Sequence, residues 1–220
     1  MQNKRSLYHD GIGYVALVDH MGSDKTVVNA ARVSFGRDST EALDARDTKL
    51  ITYLATHEHM SPFEHVVFTF KVKCPMFAAV QHLRHRTQSY NMISRRYTSE
   101  NIEVYVPQSI NNQSVSNRQC SAAVHAESER LRAELQSAVE SSVFTYNELV
   151  NAGVSREQAR SVLPMCLYTE YYTTVNLRNL CQFIQLRDSE HAQFEILRIA
   201  QEMRTLATGV APFSVQALLS

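Results

Sequence analysis

Residues 66–86 read VVFTFKVKCPMFAAVQHLRHR. The run at 66–73 alternates and is rich in β-branched and aromatic side chains, which predicts a strand. Pro75 then stands where a helix can begin, because a first-turn residue needs no N–H donor. That helix is expected to run through MFAAVQHLRHR and end near Arg86. Upstream, GYVALVDH (13–20) predicts a second strand, and Ser23 or Asp24 can cap a helix through Val33. Residues 41–57 read as a helix with Leu50, Ile51 and Leu54 at helical spacing. Downstream, IEVYVP (102–107) predicts another strand.

The second half reads as helical. A long helix from about Arg118 to Ala152 carries Leu131, Leu135, Val139, Val143 and Val150 on one face, with Gly153 closing it. Ser155 caps a short helix that ends before Pro164. Another helix covers about 175–187. A last one starts at Asp188 or Ser189, turns Ile196, Ile199, Ala200, Met203 and Leu206 inward, and stops at Gly209. Strands gathered first and helices second predict an α+β fold: an antiparallel sheet packed with long helices, and no Rossmann unit. No repeat or linker interrupts the chain, so residues 1–220 are read as one domain.

Composition narrows the function. The chain has 220 residues, 44% of them apolar, enough to build a core. Lys plus Arg and Asp plus Glu both number 22, so bulk charge favours neither nucleic acid nor an anionic membrane. The opening MQNKRSLYHD has no apolar core and no run of eighteen apolar residues occurs, so neither secretion nor membrane spanning is expected, and a cytoplasmic location is. Cys74, Cys120, Cys166 and Cys181 form no C-x-x-C pair and read as buried reduced thiols.

The neutral total hides an asymmetry. From His65 to Ser99 there is no acidic residue, while Lys71, Lys73, Arg84, Arg86, Arg95 and Arg96 are all basic. Such a run is commonly a solvated face, but the absence of acids over that length points to an anion site. There is no Walker loop. Gly11-Ile12-Gly13-Tyr14-Val15-Ala16 matches a dinucleotide fingerprint only as a string, since the strand follows it instead of preceding it. His57-Glu58-His59 with Glu64-His65 resembles a metal cluster, but Ser61 stands where a zinc-protease helix needs its second His. No metal is expected. Ser94 lies nine residues beyond His85, and a hydroxyl in basic surroundings reads as a phosphate donor more than a nucleophile. Cys181 reads as a packed thiol. The densest constellation is QHLRHRTQSYNMISRRY (81–97), whose arginines offer bidentate donors to phosphate and whose amides can face a base. Dipole compensation at a helix end would explain Arg84 and Arg86 but not Arg95 and Arg96.

RHRTQSYNMIS (84–94) resembles the R-H-R, seven residues, S motif of the flavin-dependent thymidylate synthases. AARVSF (30–35), HEHMSPFEHVVFTFKV (57–72), SRRY (94–97), the LP and LY pairs at 163–168, TVNLRNL (174–180) and LRDSEHAQFE (186–195) extend the similarity, in order, over about residues 12–200. The resemblance implies the fold of the thymidylate synthase complementing proteins and conversion of dUMP to dTMP. In this reaction 5,10-methylenetetrahydrofolate supplies the carbon, FAD the hydride, and NADPH reloads the flavin. It also implies a homotetramer with active sites shared between subunits, and no nucleic-acid or membrane partner. By position, Ser61, Arg84, His85, Arg86, Asn176, Arg178 and Gln182 would hold FAD. Gln81, Arg84, Ser94, Arg95, Arg96, Arg160 and Arg187 would hold the nucleotide, with Arg187 activating the uracil ring and Ser94 positioning, not attacking. His59 and His191 would lie near the flavin and folate. Met92 stands where an acidic or amide residue is common, Gln182 where Asn is common, and Arg95 where Gly is frequent. Arg95 would either add charge or point to solvent. Two other readings remain: a nucleic-acid-binding module using residues 65–99, with Tyr90 and Tyr97 as stacking groups, and a metal hydrolase built on the His clusters.

Overall fold

The computed structural model describes residues 4–36, 42–117 and 120–220. The start of the helix predicted over 41–57 and the predicted start at Arg118 fall at or beyond those limits. In chain order the elements are β1 (Lys4–Ser6), β2 (Tyr14–Met21), α1 (Asp24–Arg32), α2 (Ala45–Thr56), β3 (Val67–Pro75), α3 (Met76–His82) and β4 (Ser89–Met92). They continue with β5 (Asn111–Gln113), β6 (Ser121–Val124), α4 (Ser128–Asn151), α5 (Arg156–Ala159), β7 (Tyr168–Asn176), α6 (Leu177–Arg187), α7 (Phe194–Thr208) and α8 (Pro212–Leu219). The fold is α+β. Among the described residues, no helix is long and apolar enough to cross a membrane.

A five-stranded sheet in the order β1-β2-β3-β7-β4, antiparallel throughout, carries the structure. Its centre is β3, whose Phe68, Phe70, Val72 and Cys74 are buried while Thr69, Lys71 and Lys73 are only half-buried. That alternation lets one face of the sheet take up α7 and leaves the other polar. Ile196, Ile199, Ala200 and Met203 of α7 join this core, as their spacing predicts. On the polar face, Lys71 pairs with Glu170 and Lys73 with Glu103. Asp47, at the start of α2, accepts from Lys25 and forms an ion pair with Arg32, and so ties α1 to α2.

Several expectations are corrected. The nine residues of β7 pair with β3 from Val67↔Asn176 to Pro75↔Tyr168, so a central strand comes from the half read as helical. The helix predicted over 175–187 begins at Leu177, where Asn176 caps it by accepting the N–H of Asn179. Among the described residues the run 102–107 makes a single bridge, Val104↔Leu167, just before β7, and β4 takes the β7 edge from Tyr171 to Thr174. The long helix starts at Ser128, preceded by a β5–β6 hairpin that the sequence reading missed. Of its predicted apolar face, Val139 is buried but Leu135 is not. The last predicted helix starts at Phe194, and α8 follows it, capped by Asp24, whose carboxylate accepts the N–H groups of Phe213 and Ser214.

The string GIGYVA owes its second glycine to packing. A Cβ on Gly13 would stand 2.6 Å from the ring of Tyr8, whose hydroxyl is held by the carbonyl of Glu195. That ring cannot swing away without breaking a buried hydrogen bond. Gly13→Ala is therefore expected to lower the unfolding free energy by about 1–3 kcal/mol, measured by denaturant titration; an unchanged midpoint would mean the Tyr8 ring is free to move.

Candidate active site

The helix opened after Pro75 ends at His82, not near Arg86. The Tyr90 hydroxyl donates to the carbonyls of both His82 and His85, at 2.8 and 3.1 Å. These bonds satisfy carbonyls at the helix end and fold residues 83–88 into a turn that leads into β4. The turn exposes Arg84 and Arg86, neither of which has an ion-pair partner among the described residues. His85 points the other way. Its ring meets the edge of Phe183 at 4.8 Å, and its Nε2 accepts the Nε–H of Arg187 at 3.2 Å. Burial, and then the Arg187 charge, hold the His85 imidazole below its ordinary range. Residues 85 and 187, far apart in sequence, are thus in contact.

A second group surrounds a cavity of about 290 Å³, lined by Ser94, Arg95 and Arg160 with Met92, Pro164, Tyr168 and Thr169 among others. Three residues predicted for the nucleotide meet here. The stretch is anchored to β7 by the Ile93 N–H, which donates to the Glu170 carbonyl at 2.9 Å. Ser94 Oγ accepts the Arg96 N–H at 3.3 Å. Arg95 does not point to solvent. It is buried, donating to the carbonyls of Glu100 and Asn101, while its Nε has no partner among the described residues. Its guanidinium is thus spent largely on holding the 100–101 loop. Arg96 is exposed and pairs with Glu157.

A third group lies on α6. Arg178 and Gln182 line a cavity of about 280 Å³ with Glu58, Met60, Cys181, Gln185 and Leu218. Arg178 also donates to Glu64, a partner the sequence reading had placed in a metal cluster. Ser61 and His59 are exposed nearby in sequence, on the segment before β3, and His191 is exposed before α7. The side-chain amide of Gln81 is bound to that of Gln193. Asn176 is engaged as a helix cap. The cavities at Ser94 and Arg178 share no lining residue, whereas His85 and Arg187 bring one predicted flavin residue and one predicted nucleotide residue together.

Two alternatives lose support. Tyr90 is partly buried with its hydroxyl committed, so it offers no free stacking face, although Tyr97 is 78% exposed. Lys71, Lys73 and Arg96 of the basic run are neutralised by acids from outside it. Among the described residues, no group of three or more His, Cys, Asp or Glu is placed to hold a metal ion.

Residues 16–213 match the thymidylate synthase complementing protein family, Thy1. The chain belongs to this family. It is 42% identical to a flavin-dependent thymidylate synthase of Thermosipho africanus, over 94% of this chain and 91% of that protein. It is also 42% identical to one from Thermus thermophilus, over 92% of this chain and 74% of that one. Its fold matches that of PolB, a UMP/dUMP methylase of Streptomyces cacaoi solved with 5-Br dUMP, with a TM-score of 0.85 and 33% identity over 97% and 96% of the two chains.

As a Thy1 member, the chain uses its sequence motif on a buried polar support that the motif does not reveal. Tyr90, Gln193, Glu64 and His82 were not among the predicted site residues. His82 offered a signal, because an apolar helix face carrying a histidine demands a partner. It is fully buried, stacked on Phe183 at 4.4 Å, with Nδ1 2.8 Å from the Tyr171 hydroxyl. Burial is the main cause that lowers its pKa from 6.5 to about 3. The unfolded chain therefore binds a proton below pH 6.5 that the folded chain refuses until about pH 3. Stability from this residue is complete above that window and is lost as pH falls through it. In thermal melts from pH 7 to pH 4, His82→Gln should flatten the decline seen in the parent protein; parallel curves would place the acid sensitivity elsewhere.

Proposed function

We propose that the chain methylates C5 of dUMP to give dTMP, with 5,10-methylenetetrahydrofolate as carbon donor, FAD as hydride carrier and NADPH as the source of reducing electrons. The contact that carries this reading is Arg187 held against the R-H-R turn, because it sets a permanent cation beside the motif that resembles the family's flavin and nucleotide site. The residues suit both groups. Arg84 and Arg86 are exposed and unpaired among the described residues, as a pyrophosphate requires. Arg178 and Gln182 edge one cavity, and Ser94, Arg95 and Arg160 edge another.

The roles follow from charge. C5 of uracil accepts a carbon only when the ring is electron-rich, and loss of the N3 proton makes it so. A guanidinium about 4 Å away in an effective dielectric of about 20 attracts the resulting anion by about 4 kcal/mol. That equals as much as about three pK units before desolvation is subtracted. Arg187 is assigned this work, so no covalent nucleophile is needed. Ser94 is a hydroxyl donor to the phosphate end, and Arg160 and Arg96 supply charge there. Arg95 contributes by shaping the cavity wall and through its Nε–H, which has no partner among the described residues. FAD, when bound, supplies the hydride; Ser61, Arg84, His85, Arg86, Asn176, Arg178 and Gln182 hold and orient it, with His191 and His59 toward the flavin and folate. Separation of the Arg178 and Ser94 cavities within one chain supports a homotetramer that completes each site from several subunits. A cytoplasmic location accompanies this reading, since its substrates are made and used there.

Purified protein should be yellow, bleach with NADPH, and recover its colour when dUMP and the folate are added. Arg187→Ala should leave bleaching within about threefold of the parent rate and slow recovery by about 100-fold or more, a loss on the scale of one displaced charge-stabilising donor. Colourless protein that takes up no FAD, or equal loss of both steps in Arg187→Ala, would contradict the reading.

A further inference from the structure

The environment of His85 is built from one face of α6. Phe183 and Arg187 are four residues apart on that helix and so stand one above the other. The His85 ring rests on both: its face meets the Phe183 edge, with an interplanar angle of 86°, and its Nε2 takes the Arg187 Nε–H. The backbone behind the ring is fixed as well, because Tyr90 holds the His85 carbonyl. His82 stacks on the face of Phe183 and its ring also meets that of His85, so the Phe183 ring is itself fixed. Three elements thus hold one imidazole, and the imidazole holds one guanidinium.

We propose that His85 is a positioning residue for Arg187, accepting its Nε–H so that both terminal nitrogens of the guanidinium are aimed at the pyrimidine. This rests on, and deepens, the assignment of Arg187 to the uracil ring. An arginine on a flexible stem samples many rotamers, and a bond at Nε removes the last of them without using the two nitrogens best placed for bidentate contact. A nitrogen acceptor also costs the guanidinium less than a carboxylate would, since a neutral imidazole leaves its positive charge intact for the substrate. Acceptance at Nε2 requires the neutral tautomer with the proton on Nδ1, so His85 offers its single donor away from Arg187. A protonated ring has no lone pair to give and repels the guanidinium. The charged and titratable groups around the ring are Arg187 from α6, His82 from α3, Tyr90 from β4, and Arg84 and Arg86 on its own turn. None is an acid, so nothing there rewards protonation.

The test compares His85→Gln, whose amide oxygen can still accept from Arg187, with His85→Leu, which fits against Phe183 but cannot. FAD content, dUMP affinity by calorimetry and colour recovery of NADPH-reduced enzyme with dUMP and the folate are measured from pH 8 to pH 5. Because His85 is also assigned to the flavin, FAD content is measured first in each variant and carbon transfer is expressed per bound flavin. Carbon transfer should fall by about 100-fold in His85→Leu and dUMP affinity by about tenfold, with both within about threefold of the parent in His85→Gln. The parent rate should fall on the acid side below pH 6.5, the ordinary histidine value, and His85→Gln should lose that limb. Equal losses per bound flavin in the two variants, or an acid limb retained by His85→Gln, would overturn the proposal. Parent enzyme that binds FAD but transfers no carbon would instead refute the underlying assignment, and this one with it.

Discussion

Nine consecutive residue pairs between β3 and β7 set the geometry on which everything else depends. Both strands leave the sheet directly into a helix or turn that carries the chemistry. β3 passes at Pro75 into α3 and then the R-H-R turn, and β7 passes at Asn176 into α6 with Arg178, Gln182 and Arg187. Because side chains alternate along a strand, a slip of one residue would turn Phe68, Phe70 and Val72 outward and bring Lys71 and Lys73 into the core. The apolar face therefore locks the register. That register, in turn, brings His85 against a helix about a hundred positions later in the chain.

The support beneath the site is polar but dry. Tyr171 on β7 lies between Cys74 and His82, the Gln88 side chain accepts from Thr173, and Tyr90 clamps two carbonyls of the turn. Burial pushes the Cys74 thiol up to about 12 and keeps His82 neutral, so these groups carry no charge into the core. The charged groups sit above this layer, on the exposed turn and along α6. A neutral, hydrogen-bonded base below and unpaired guanidinium groups above is an arrangement suited to gathering an anionic ligand at a rigid surface.

Much of this was legible in the sequence. The alternation at 66–73, the apolar spacing in α7 and the helix starts after Ser23 and Ser155 each state a local rule that packing did not override. The strand 168–176 was not read, although YTEYYTTVN is rich in aromatic and β-branched residues, because its neighbours on both sides are helical. The end of α3 was missed for a different reason: the Tyr90 clamp closes a turn across eight residues, and helix propensity holds no record of it. The run 102–107 has strand composition but pairs only at Leu167, since β4 takes the β7 edge from Tyr171 onward, which is a fact of topology. For the site, residue types and spacing gave the arginines and Ser94. They could not show that Arg95 is committed to loop carbonyls, or that Arg187 meets His85, since both depend on tertiary contacts.

The central claim is that the cation at 187 and its neighbours prepare a uracil ring to accept carbon at C5. Release of tritium from C5-labelled dUMP tests it most directly, because that hydrogen leaves only when a new bond to C5 replaces it. With FAD, NADPH and methylenetetrahydrofolate present, the account predicts tritium in water in step with dTMP formed. Fully flavin-loaded protein that retains all the label would contradict it.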